Sequence, residues 1–238
     1  MKFLDKYYSK VSNEQLTITA EQASAFAKQV ACDFNPIHDA DSRRFCVPGD
    51  LLFAIALRRY GLKQTMAFQF TNIVGADAQL SYPDVDANQD TAELEVGCEG
   101  KKPVLAMQYS GETCTDELKI EPILRSYVQF SGQNFPHILV PLMKEENVML
   151  NPQRPLVMYQ SMSFELQSLD FETLEITLTG STLETEGKRG TAILNFAFVA
   201  DGRQVGFGAK KLVLSGLREY EETAVQAMCD QYEASKHV

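Results

Sequence analysis

Residues 31–60 read ACDFNPIHDADSRRFCVPGDLLFAIALRRY, and the last third of that stretch decides the fold. Pro48-Gly49-Asp50 is a helix start. The LLFAIALRRY behind it is apolar on nearly every side, so a helix from Gly49 to Tyr60 belongs inside the protein rather than on its surface. Arg58, Arg59 and Lys63 near its far end suit the negative pole of the helix dipole, and Tyr60-Gly61 closes it. Asp50, in the first turn, is a residue type that caps a helix and is favoured by its positive pole.

Before this helix, Thr19-Ala20-Glu21-Gln22 forms a capping box, and Ala23, Phe26, Ala27 and Val30 recur at helical spacing until Asn35-Pro36 turns the chain. After it the period changes to two. MAFQFTNIV (66–74), AQLSY (78–82), TAELEVGC (91–98) and VLAMQYS (104–110) read as strands, separated by the turn-rich 81–90 and by 99–103. The order then repeats without an evident sequence repeat. A mainly apolar helical stretch over 126–147, broken around Gly132 to Pro136, precedes strands at 156–167, 174–184, 191–200 and 203–215. Asp201-Gly202 marks a hairpin, and Leu217, Tyr220, Ala224, Ala227 and Met228 form one stripe of a terminal helix. A buried helix followed by an antiparallel sheet, present twice, predicts an α+β protein in which each sheet wraps a central helix, Gly49 to Tyr60 and roughly Leu124 to Met143. The halves, 1–118 and 119–238, pair as a pseudo-dimer, with 116–126 as their junction.

The chain has 238 residues, 45% of them apolar and 23% charged, so it can build a sizeable core. With 32 acidic against 22 basic residues its formal charge is −10, which argues against nucleic acid as a partner. The longest apolar run, Leu51 to Leu57, is far short of a membrane span, and the N-terminal MKFLDKYYSKVS has no signal-like apolar region, so a cytoplasmic protein without membrane insertion is expected. Five scattered cysteines without C-x-x-C pairs or zinc-spaced histidines read as reduced thiols and imply no structural metal. Arg43-Arg44, Arg58-Arg59 and Lys63 can meet the phosphates of a ligand or an acidic partner face but read first as solvated surface, and Lys101-Lys102, Lys188-Arg189 and Lys210-Lys211 read as turn or strand-edge charges. Phe45, Phe53, Phe68 and Phe70 can line an apolar tunnel but read first as core, and His237 reads as tail.

Asp33-Phe34-Asn35-Pro36-Ile37-His38 carries the chemistry. A carboxylate and an imidazole five residues apart across a proline-set turn can converge on one water and share the proton transfers of an addition or elimination. The same residues can also serve simply as a hydrogen-bonded loop, because Asp and Asn bond local backbone. The N-terminus of the Gly49 helix, about ten residues on, can receive negative charge growing on a thioester carbonyl.

This stretch resembles the MaoC-like, or R-specific enoyl-CoA hydratase, branch of the hot-dog fold superfamily. The resemblance rests on Asp33, Asn35, Pro36 and His38, followed by an apolar loop and a glycine, Gly49, opening the central helix. It implies a double hot-dog fold and a hydratase or dehydratase acting on 2-enoyl or 3-hydroxyacyl thioesters of coenzyme A or acyl carrier protein, with no cofactor. By that resemblance Asp33 and His38 are catalytic, activating the water, while Asn35 and the Gly49 N–H bind substrate. A homodimer is compatible with it. The chain has Cys32 where the family carries glycine before the aspartate, and Asp50 where it carries an apolar residue. Residues 130–137, FSGQNFPH, look like a degraded copy of the motif, so the second half is expected to shape the pocket, with His137 structural. The alternatives are a non-catalytic acyl-thioester or metabolite-binding module and a thioesterase.

Overall fold

A computed structural model describes residues 1–85, 91–171 and 173–236. Residues 86–90 of the expected turn, and His237, lie outside them. Two short strands, β1 (Ser9–Lys10) and β2 (Gln15–Thr17), precede α1 (Ala20–Phe26), whose Thr19–Gln22 capping box is formed as expected. The buried helix α2 spans Gly49–Tyr60 and leads into β3 (Leu62–Phe70), β4 (Leu80–Ser81), β5 (Thr91–Cys98) and β6 (Leu105–Cys114). In the second half, α3 (Glu117–Gly132), α4 (Asn134–His137) and α5 (Leu139–Glu145) are followed by β7 (Val148–Met149), β8 (Val157–Leu166), β9 (Glu175–Glu186), β10 (Arg189–Ala200) and β11 (Arg203–Ser215). Strand β12 (Arg218–Glu219) pairs with β7, and α6 (Glu222–Ser235) closes the chain.

The two expected sheets are joined edge to edge. Among the described residues they form one ten-stranded sheet in the order β1-β2-β4-β5-β6-β3-β8-β11-β10-β9, every pair antiparallel. Counted outward from the seam between β3 and β8, the order is β3-β6-β5-β4-β2-β1 on one side and β8-β11-β10-β9 on the other. In both halves the first strand of the large sheet after the buried helices is therefore the seam strand, β3 in one and β8 in the other. This is the pseudo-dimeric double hot-dog arrangement. The seam register pairs Met66 with Phe164 and Phe68 with Met162. All four side chains are buried, so the seam is a shared core rather than a hydrogen-bonded edge alone.

Helix α2 buries Leu51, Phe53, Ile55 and Leu57 almost completely, as its all-round apolar sequence requires, and each such side chain stabilises the fold by about 1.5–3 kcal/mol. The segment expected as the junction, 116–126, lies at the start of helix α3. Asp116 caps α3 by accepting from the Leu118 N–H at 2.9 Å, and Ile120, Ile123 and Leu124 bury one face from the first turns onward. The division between residues 118 and 119 thus falls in the first turn of α3. No helix among the described residues is long and apolar enough to cross a membrane.

Two lysines leave the positions their sequence context suggested. Lys63 is buried in β3, its Nζ 2.5 Å from Thr113 Oγ1 and over the Tyr109 ring. Lys210 is 3% exposed, because on β11 it shares the inward phase with Gly206, Gly208, Leu212 and Leu214.

Candidate active site

The motif loop is built by its own side chains. Helix α1 runs into a π-helical turn, Ala27–Ala31, that ends at Cys32 in the left-handed region with φ 52°. That reversal points Asp33 inward, with its N–H bonded to the Ala27 carbonyl. Asp33 Oδ1 accepts the Asn35 N–H at 2.9 Å, and Asn35 Oδ1 accepts the Ile37 N–H at 3.2 Å, capping the short 3-10 turn Pro36–His38. The motif's own side chains therefore hold the loop, and the same residues line a cavity.

His38 Nδ1 lies 2.7 Å from the Cys46 carbonyl oxygen. A carbonyl only accepts, so Nδ1 carries the proton and Nε2 is left for chemistry. Nε2 lies 3.5 Å from Asp33 Oδ2, and both side chains are mostly buried. Burial lowers the His38 pKa, but the Asp33 carboxylate and the Cys46 carbonyl outweigh it, and the net shift is upward. For Asp33, burial acts upward and is outweighed by His38, the Asn35 N–H and Lys210, so its pKa falls. Cys46, by contrast, is pushed up to about 11 by burial, which makes it an inert thiol.

Asp33, Asn35, His38 and Gly49 all line one cavity of about 960 Å³ that runs between the two halves. Gly49 is there for space. A Cβ at this position would come within 3.0 Å of the Tyr159 ring and 3.2 Å of Phe70, which meet over the start of α2. Phe70 thus lines the cavity, while Phe53 and Phe68 are core as expected. His137 is exposed and outside the cavity lining.

Asp50 does not cap α2. Pro48 occupies the cap position without a side-chain hydrogen bond, and the buried Asp50 carboxylate turns across the cavity wall to Ser131. Ser131 Oγ lies 2.7 Å from both Asp50 oxygens and donates to them, and Lys210 Nζ donates to Ser131 Oγ at 2.5 Å and to its carbonyl at 3.0 Å. Asn134 Nδ2 reaches the same carbonyl at 2.6 Å. Burial raises the Asp50 pKa and lowers that of Lys210, while the charge of each opposes the shift of the other. Ser131, Asn134, Tyr159 and Lys210 line the cavity and come from the second half, and the sequence reading assigned none of them to the site. The phase of β11 was the one available signal for Lys210, since it falls two and four residues before Leu212 and Leu214 on the same face. Ser131 and Asn134 lie in the 130–137 segment that looks like a degraded copy of the motif, which was their one local signal.

The wall is thus two acid–base pairs, Asp33 with His38 and Asp50 with Lys210 through Ser131. Among the described residues no group of three or more His, Cys, Asp or Glu side chains could hold a metal ion. Helix α6 covers one side of the cavity, where the Tyr232 ring packs edge-on against Phe34 at 5.9 Å and Phe135 at 5.5 Å. One aromatic therefore touches the motif loop of each half.

A family model described as "Protein of unknown function (DUF3581)" matches residues 2–223. No curated protein matches the sequence. Among solved structures, the chain resembles a conserved protein of unknown function with hot-dog fold from Alicyclobacillus acidocaldarius, with a TM-score of 0.52 at 9% identity over 90% of this chain and 98% of that one. It also resembles a putative thioesterase II from Thermobifida fusca, with a TM-score of 0.50 at 8% identity over 87% of this chain and 95% of that one. At such identities the likeness is one of fold, and the fold is the hot-dog.

Proposed function

The chain belongs to the DUF3581 family, and from that premise we propose that it acts on acyl thioesters, adding water to 2-enoyl thioesters with R specificity or removing it from 3-hydroxyacyl thioesters. The observation that carries the reading is the Asp33–His38 pair, with Oδ2 and Nε2 3.5 Å apart on the wall of a cavity whose next element is the uncapped start of α2. A putative thioesterase II shares this fold, which is in keeping with a thioester ligand.

In hydration, the water sits against Asp33 Oδ2 and His38 Nε2. Its oxygen bonds to C3 of the enoyl group, one of its protons passes to the pair, and the pair returns a proton to C2. The negative charge that gathers on the thioester oxygen meets the Gly49 N–H. Because His38 Nδ1–H is fixed on the Cys46 carbonyl, the ring presents Nε2 without a tautomer change. Asn35 commits its Oδ1 to the loop, so its part in binding falls to the amide NH₂.

The test is hydration of crotonyl-CoA by the full chain, followed by loss of the enoyl absorbance. Asp33→Asn and His38→Ala should each lower the rate about a hundred- to ten-thousand-fold. Saturable binding of enoyl-CoA without conversion would move the reading to a non-catalytic thioester-binding module.

A further inference from the structure

We propose a second reactive centre in the same cavity, in which Ser131 is a nucleophile that takes an acyl group from a thioester and passes it to water, with Asp50 as its base and Lys210 holding the serine oxygen. The proposal rests on the acyl-thioester part of the reading above and not on Asp33 or His38.

The geometry is that of an activated nucleophile. Ser131 Oγ–H points at a carboxylate 2.7 Å away, and Lys210 Nζ donates to the same oxygen at 2.5 Å. Lys210 is itself fixed by the Ser131 carbonyl and lies over the Tyr159 ring, 4.2 Å from its centre. A nucleophile in reach of a base, with a third group orienting the set, is the arrangement that makes a serine hydroxyl reactive. Stability does not account for it. A buried acid and amine generally stabilise a fold no better than apolar residues of the same size, yet this pair is placed on a cavity wall between the halves. Burial also raises the Asp50 pKa, which makes the carboxylate a stronger base than an exposed one.

Each step balances. Ser131 Oγ bonds to the thioester carbonyl carbon as its proton passes to Asp50, the C–S bond breaks, and the thiolate leaves with the proton from Asp50. Water then adds to the acyl-serine carbonyl while giving a proton to Asp50. The C–Oγ bond breaks, Ser131 recovers the proton, and a carboxylic acid departs. Lys210 stays protonated throughout and opposes the charge on Oγ.

Butyryl-CoA separates this centre from hydration, because a saturated acyl group has no double bond to hydrate. With the full chain, thiol release followed by a thiol reagent and acid-quenched intact-mass measurement should show release together with one butyryl group on the protein. Peptide mapping should place that group on Ser131. Ser131→Ala should lose the adduct and lower thiol release by more than about a thousandfold. Ser131→Cys should recover an adduct as a thioester, and it keeps the test open if the alanine variant does not fold. Absence of both adduct and release in wild type, or release without any adduct at Ser131, would overturn the proposal. Crotonyl-CoA hydration in the same preparation reports separately on Asp33 and His38, so either centre can fail alone.

Discussion

Asp50 shows how far a residue's role depends on what lies across the cavity from it. As a first-turn carboxylate it has the chemistry of a cap, yet its side chain bonds Ser131 and through it faces Lys210, both more than eighty positions away in sequence. Removing Asp50 alone leaves the buried Lys210 without its counter-charge, so Asp50→Leu should cost about 3–5 kcal/mol of stability, well above a lost cap. Adding Lys210→Met should return most of it, since an apolar pair commonly equals or exceeds a buried ionic one. Urea unfolding of the two variants checks this, and equal losses in both would refute the pairing. The Asp33–His38 pair predicts a pH window. Asp33 is lowered from 3.8, so its stabilisation is present above 3.8 and is lost as pH falls through the lower folded value. His38 is raised from 6.5, so its stabilisation is full below 6.5 and is lost as pH rises through the higher folded value. The stability difference between wild type and His38→Ala should therefore be largest between pH 3.8 and 6.5 and shrink on either side, as denaturation across pH would reveal.

Helix α3 is the element on which the two motif segments meet. At Gly132, a Cβ would lie 2.1 Å from the Ala31 carbonyl oxygen and 3.1 Å from Asp33 Cβ, so the end of α3 rests directly on the turn that aims Asp33. Gly132→Ala should force that turn aside, lowering stability by about 1–3 kcal/mol and hydration with it. A variant of wild-type stability would show that the turn yields without strain. At this scale the sequence was informative wherever pattern and burial agree. Helix α2, strands β5 and β11, and the capping box of α1 lie where periodicity puts them, because their apolar spacing is set by one face or by complete burial. The start of α3 was obscured by Pro122 and by mixed charge, while Asp116 supplied the cap that overrides them. The first-half site was legible because the loop closes on itself within six residues, through Asp33 and Asn35 onto the backbone that follows. Ser131 and Lys210 were legible only in part: the degraded copy at 130–137 and the phase of β11 place them inward, but their pairing depends on contacts 81 and 79 positions apart that no local segment records.

The whole molecule depends on the seam. Strands β3 and β8 are the inner edges of the two sheets, and in a separated half each would expose a row of unpaired backbone groups beside Met66 and Phe68 or Met162 and Phe164. The main core draws no line between the halves either, since Leu51, Phe53 and Phe68 belong to the same cluster as Tyr127, Phe164 and Phe196. Phe53 packs against Phe68 of its own half and Tyr127 of the other, both at 5.0 Å. The cavity follows the same logic, with Asp33, His38 and Asp50 supplied by one half and Ser131, Tyr159 and Lys210 by the other. A chain cut between β6 and α3 should then give two pieces that neither unfold cooperatively nor turn over thioester alone, while co-expression of both should restore a soluble complex. Calorimetry on each piece and on the mixture measures this. A sharp transition in the 1–115 piece by itself would mean that the first half holds its core without the seam, and that the pairing of the halves serves the cavity rather than the fold.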